Sequence, residues 1–244
     1  PEVEKIMEII ARHKVPVVFT SAGSPKKWTG WLKEKGIIVA HVVSSSFFAA
    51  KCEAAGVDAI VAEGFEAGGH NGREETTTLA LIPSVRKATS LPLLAAGGIG
   101  SGKAMLAVMA LGADGVQVGS GFAISEESSA HRDFKKLVIQ LGEGGTKLAL
   151  KKLAPTRLVK NSFFEQVNEA EKQGKPVEEM KELLGRGRAK RGMFEGDLEN
   201  GELEIGQVSA QIGEILPVSI IMKNLITDYL AVKQKIANGG GFLF

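Results

Sequence analysis

The residues best suited to chemistry are concentrated in one stretch, Glu63-Gly64-Phe65-Glu66-Ala67-Gly68-Gly69-His70-Asn71-Gly72. It follows an apolar run, Val57 to Glu63, that reads as a strand. Glycines there let a loop wrap a ligand with its backbone N–H groups. A neutral imidazole at the tip of such a loop can take a proton from carbon or give one to an enolate near pH 7. His70 is therefore the candidate catalytic residue. The plainer reading is a loop histidine bonded to a backbone carbonyl.

Two further glycine-rich turns follow apolar runs. They are Ala95-Ala96-Gly97-Gly98-Ile99-Gly100-Ser101-Gly102 and Gln117-Val118-Gly119-Ser120-Gly121. Backbone N–H groups at a helix start bind a phosphate without Lys or Arg. Two such turns, one strand–helix unit apart, suit one dianion between them. Tight turns with no ligand are the alternative. No GKS or GKT signature marks a P-loop.

Other residues carry weaker signals. His41 lies inside an apolar run and reads as a core residue, Cys52 as a buried small hydrophobe, and His13 as the end of a helix. His131 reads as exposed. Ser44-Ser45-Ser46 suits a helix cap. No His pair or acidic cluster has metal-ligand spacing.

The elements that must position these groups alternate regularly. Val15–Thr20, Ile37–Val43, Val57–Glu63, Leu91–Ala96 and Gly115–Val118 are apolar runs suited to strands covered on both faces. Helical patterns at Glu2–Arg12, Pro25–Lys35, Phe47–Ala55, Thr78–Thr89 and Gly102–Leu111 precede and separate them. Gly36, Gly56 and Gly112 mark helix C-termini. This βα rhythm predicts an α/β fold with a parallel sheet, either open or a TIM (β/α)8 barrel. Only five strands are visible, so a barrel reading implies that the N-terminal strands are missing from the chain. Residues 1–124 would then be the barrel portion. Residues 125–205 read as a helical cap or insertion without strand signals, and 206–244 as a C-terminal helix returning to the barrel. Lys135, Lys136, Lys147, Lys151, Lys152, Arg157 and Lys160 form a basic stretch, followed by Arg186, Arg188, Lys190 and Arg191. Such stretches read as a solvated face or a dock for an acidic partner.

Composition narrows the classes. The 244 residues are 44% hydrophobic and 24% charged, which excludes a disordered chain. A single cysteine excludes a disulfide framework. A net charge of +2 with 6% aromatic residues argues against nucleic acid. No apolar run approaches a membrane span, and the charged opening is unlike a signal peptide. A cytoplasmic location is the expected default. The oligomeric state stays open, a homodimer being one option.

GFEAGGHNG, LPLLAAGGIGSG, LGADGVQVGS and the late GDLENGELEIGQ together resemble the FMN-dependent barrel family. That family comprises nitronate monooxygenases (formerly 2-nitropropane dioxygenases) and type II enoyl-acyl-carrier-protein reductases. The resemblance implies a TIM barrel with a helical second domain that binds FMN without a covalent bond. It places Gly98, Gln117, Val118, Gly119 and Ser120 on flavin phosphate and ribityl positions. Gly97, Gly68, Gly69 and Glu63 fall beside them, and His70 on the active-site histidine. Glu63 stands where many nitronate monooxygenases have Gln, and Ser120 where Thr is common. The resemblance further implies NADH or NADPH as co-substrate and enoyl-acyl-carrier protein or enoyl-CoA as partner in the reductase reading. The run from His70 to Thr78, with its threonines, is closer to the reductase pattern. The alternatives are oxidation of nitronates or nitroalkanes by FMN and O2, and a non-enzymatic phosphate-binding or inactive barrel fragment.

Overall fold

The five apolar runs become five strands. They are β1 (Val17–Thr20), β2 (Ile38–Val43), β3 (Ala59–Glu63), β5 (Leu93–Ala96) and β6 (Gly115–Gln117). A computed structural model describes residues 2–239. The strands form one parallel sheet in the order β1-β2-β3-β5-β6, open between its two edges. The expectation of an α/β fold with barrel-type βα units is met.

Register explains why the runs lack polar alternation. Val61 pairs with Leu94, Ala62 with Ala95 and Glu63 with Ala96. Successive side chains leave on opposite faces. Val39, Ile60, Leu93 and Ala95 join the core beneath the helices. Ala40, Val61 and Ala96 pack on the other face. Both faces of the central strands are buried, so both sets must be apolar. Toward the β1 edge the second face is open: Val17, Phe19 and Ile38 are exposed.

Helices α1 (Val3–Arg12), α2 (Thr29–Lys33), α3 (Ser46–Ala54), α4 (Thr78–Ala88) and α5 (Gly102–Ala110) precede and separate these strands. A 3-10 turn at Pro25–Lys27 starts the second connection. Ser45 caps α3 by accepting from Phe48 N at 3.4 Å. Ser101 caps α5 by accepting from Ala104 N at 3.2 Å. These caps face the C-terminal end of the sheet, where the glycine turns sit. Gly36, Gly56 and Gly112 adopt positive φ as the helices end, a conformation that disfavours other residues.

The stretch after residue 124 corrects the sequence reading. Helix α6 (Ser120–Ala123) leads into it, and helices α7 (Arg132–Val138), α8 (Ser162–Lys172), α9 (Val177–Leu184) and α10 (Arg188–Met193) are present. So are two strands, β7 (Thr146–Ala149) and β8 (Thr156–Val159). With β4 (Gly69–His70) they form a small antiparallel sheet in the order β4-β8-β7. All four residues of β8 are buried, Arg157 included. The basic stretch is not one solvated face. Lys135 is 6% exposed and Arg157 is 1% exposed. Lys135 Nζ donates to the carbonyls of Ser125, Glu126 and Ser128. Lys151 and Lys152 remain exposed. The last helix, α11 (Val218–Ala237), packs on α5. Asp228 accepts from Lys103 N at 3.0 Å, and Gly102 meets the α11 backbone so closely that a Cβ there would lie 2.1 Å from Tyr229 N. No described helix is long and apolar enough to cross a membrane.

Candidate functional site

The loop after β3 is held in place from three sides. Phe65 N donates to Thr76 O, and Glu66 caps the start of α4, accepting from Thr78 N at 2.9 Å and from Thr78 Oγ1 at 2.8 Å. Arg157 reaches across from β8 and donates to Phe65 O from Nε at 3.2 Å and from Nη2 at 2.7 Å. Its guanidinium lies 4.5 Å from the Phe65 ring centroid. Asn71 Nδ2 donates to Ala67 O and Gly69 O.

The late GDLENGELEIGQ motif closes the third side. Leu158 of β8 bridges Glu204, and Val159 N donates to Leu203 O. Residues 203–204 thus continue along the edge of β8 that β4 begins. Gln207 N donates to Glu66 O. At Gly68 an added Cβ would lie 2.4 Å from the Ile205 carbonyl carbon. At Gly97, φ is +89° and a Cβ would lie 2.7 Å from Gly64 O. These glycines admit the protein's own backbone. The glycine excess therefore reflects close packing of loop on loop as well as room for a ligand.

The arrangement leaves two neighbouring cavities at the C-terminal end of the sheet. The first holds about 390 Å³. Glu63, Gly68, Gly97, Gly98, Gln117, Gly119 and Ser120 all line it, as the sequence expects. Glu66, Glu204 and Ile205 also line it, and sequence reasoning did not assign them to the site. Ser120 Oγ accepts from Gly206 N at 3.0 Å, leaving its own proton to donate. At Gly119 an added Cβ would meet nothing within 4 Å. The second cavity holds about 490 Å³ and is lined by His70, Asn71, the turn after β1 and the end of β2 with His41. Glu63 lines both and forms their shared wall.

Two expected site residues stand apart. Val118 packs against the helix-covered core and lines a different hollow, beside α11, so its side chain does not reach the first cavity. Gly69 pairs with Arg157 across the small sheet and backs onto Glu204, whose Oε2 would lie 2.5 Å from an added Cβ. It lines neither cavity. His41 is 5% exposed, as expected for a core position, with Nδ1 2.7 Å from Thr20 Oγ1, and burial lowers its pKa. Cys52 is buried, and burial pushes its thiol up to about 11. His131 heads α7 as its cap, accepting from Asp133 N.

The first cavity fits a phosphorylated flavin on its donor set. Its lining holds three carboxylates and no lysine, arginine or histidine. A dianion there must be met by main-chain N–H groups and neutral side chains, with little acidic repulsion. Glu66 is turned toward Thr78, whose N and Oγ1 donate to it, and the Arg157 cation lies close enough to interact with its charge. Burial raises Glu63 to about 7. Burial also raises Glu204, with the His70 charge opposing. Gln117, Ser120 and the turns at Gly97–Gly98 and Gly119 remain as neutral ligand groups.

Three comparisons agree on the lineage. The family model described as nitronate monooxygenase matches residues 2–228. A probable nitronate monooxygenase of Staphylococcus aureus is 33% identical over 240 residues, which cover 93% of this chain and 66% of that protein. The chain thus spans a little under two thirds of the curated relative's length. A solved structure of FabK from Thermotoga maritima is 36% identical with a TM-score of 0.91, covering 98% of this chain and 75% of that one. A nitroalkane oxidase from Streptomyces ansochromogenes is 26% identical with a TM-score of 0.79, covering 96% of this chain and 70% of that one. From the match along nearly its whole length, this chain belongs to the nitronate monooxygenase family.

Proposed function

We propose that the protein is an FMN-dependent oxidoreductase that reduces enoyl thioesters, carried by acyl-carrier protein or coenzyme A, with electrons from NADH or NADPH. The observation that carries this reading is the paired cavity. His70 lines a 490 Å³ chamber that shares Glu63 in its lining with the glycine-lined one. Its volume lies in the range of sites for drug-sized ligands. It exceeds the need of a small nitroalkane and suits the reactive end of an acyl chain or a nicotinamide in turn. The likeness to FabK, 36% against 26% for the nitroalkane oxidase, supports the same choice.

FMN, when bound, supplies two-electron hydride transfer. The chain's own residues do the rest. The turns at Gly97–Gly98 and Gly119–Ser120, with Gln117, hold the phosphate and ribityl end. Val118 contributes there through its main chain only. Gly68 and Gly69 shape the loop beside the cofactor. His70 faces the thioester, donating a hydrogen bond to its carbonyl oxygen or a proton to the α-carbon as hydride arrives at the β-carbon.

The names of the curated relatives support a second reading, oxidation of nitronates with O2. His70 would then orient the nitronate or abstract the α-proton of a nitroalkane. An anaerobic flavin-reduction assay with NADH, NADPH and propyl nitronate side by side separates the two. The expected result is reduction by a nicotinamide and reoxidation by a crotonyl thioester. His70→Ala should lower that turnover by about 10²-fold or more. Reduction by nitronate alone, with no response to the thioester, would transfer the assignment to the second reading.

A further inference from the structure

The outer rim of the second cavity differs from everything beneath it. Lys51, on α3, lines it together with Phe48 and with Ser21 and Ser24 from the turn after β1. Lys51 is exposed and forms no ion pair among the described residues. Its Nζ lies 4.2 Å from the Phe47 ring centroid and 5.8 Å from that of Phe48. Those rings meet edge to face at 5.6 Å and are 63% and 45% exposed. Exposed aromatic surface beside an ammonium with no carboxylate partner at the mouth of a cavity offers a planar anionic ligand both stacking and charge. Ser24 heads the 3-10 turn, yet its hydroxyl caps nothing.

The charge pattern gives a direction to any ligand spanning the chamber. The inner end offers Glu63 and His70 and adjoins a cavity with no basic side chain. The rim offers one permanent cation, Lys51, with aromatic faces beside it. A ligand that fits is uncharged at its reactive end and carries phosphate and a planar ring at the other. A nitronate has neither a phosphate nor a ring.

We propose that Lys51 and Phe48 form a specificity site for the nucleotide end of the substrate, Lys51 pairing with its phosphate and the Phe48 ring stacking on its base. The shared chemistry is that of an adenosine phosphate, which both coenzyme A and the nicotinamide dinucleotides carry. Base stacking on aromatic side chains and a single phosphate contact are separable contributions. The inference rests on the thioester-reductase reading for its turnover arm and is independent of it for its binding arm.

The test uses the flavin-loaded protein and the variants Lys51→Glu, Lys51→Arg and Phe48→Ala. Lys51 is exposed, so folding is not at stake, and an unchanged Tm checks this. Dissociation constants are measured for coenzyme A, NADH and NADPH, with propyl nitronate and a phosphate-free N-acetylcysteamine thioester as controls. Lys51→Glu should weaken at least one of the phosphate-bearing ligands by about tenfold and leave the controls unaltered. Lys51→Arg should restore binding. Phe48→Ala should weaken the same ligand, and its affinity should fall between roughly 0.05 and 0.5 M salt in the parent but less in Lys51→Glu. Which arm responds, coenzyme A or a nicotinamide, identifies the source. KM values should follow the same pattern wherever turnover is seen. Binding that responds without thioester turnover would overturn the reductase reading and leave this site standing. Equal weakening of the phosphate-free controls would overturn the proposal, as would no change for any phosphate-bearing ligand. Sensitivity confined to intact acyl-carrier protein would also overturn it, in favour of a protein dock.

Discussion

The parallel sheet and the segment that folds over it frame the same site by different means. Between residues 17 and 118, position is set by apolar side chains: Val39, Ile60 and Leu93 lie beneath the helices and Ala40, Val61 and Ala96 on the opposite face. Between residues 123 and 212, apolar clusters exist around Phe134 and Phe163, but the connections between strands and loops run through buried polar groups. Arg157 ties β8 to Phe65 O, Lys135 gathers three carbonyls, and Asn161 Nδ2 donates to Leu198 O and Gly201 O. Apolar packing is non-directional and tolerant, whereas a buried donor fixes one carbonyl in one place. The contrast suits a scaffold that carries a wall whose loops must be held in register.

That contrast is open to direct attack. Arg157→Leu leaves Phe65 O without its donors and should cost about 3 kcal/mol in urea denaturation, against about 1 kcal/mol for Ile60→Val in the sheet. A cost for Arg157→Leu no larger than that of Ile60→Val would erase the distinction. Glu202 sharpens it through pH. The residue is 7% exposed, and burial with the neighbouring Glu204 charge raises its carboxyl to about 7, against the pull of Arg188. The folded protein then holds a proton between pH 4.5 and about 7 that the unfolded chain has released. Stability must fall as pH rises through that window. Glu202→Gln should remove this share and gain on the order of 2 kcal/mol at pH 8, with little change at pH 4. An unchanged pH–stability curve would remove Glu202 from the account. The smallest effect lies at a helix start beside the sheet. Ser101→Ala removes the α5 cap and should cost about 1 kcal/mol without altering the pH dependence of stability.

The same division decides what could be read from sequence. The five strands announce themselves because each is an unbroken apolar run closed by glycine or serine, and such runs need no knowledge of distant partners. His41 was legible for the same reason, and Cys52 because a small apolar side chain on a helical pattern reads as buried. Strands β7 and β8 were not. Thr146-Lys147-Leu148-Ala149 and Thr156-Arg157-Leu158-Val159 each place a cation inside a short strand. Their outer partner is the two-residue β4, set by pairing across a long stretch of chain. Arg157 looks like any surface arginine until Phe65 O is placed beside it. The glycine turns and His70 stood out by type and spacing and Gln117 and Ser120 by family resemblance, and all of them line the two cavities. Glu66 and Glu204 were not, since a carboxylate beside an anion site runs against simple charge matching. The repeated Thr-x-Leu pattern before and after Pro155 was the available hint of a hairpin.

The abutment of Gly68 on Ile205 and Gly206 has a bearing on how the protein is made. On a ribosome adding roughly 5–20 residues per second, the loop ending in His70 emerges long before the stretch that covers it. Until residue 207 is free, that loop lacks one of its walls, and the hollow it will bound stays open to solvent. Tight binding of any ligand in that hollow therefore waits until residue 207 has emerged and the loop has gained its last wall.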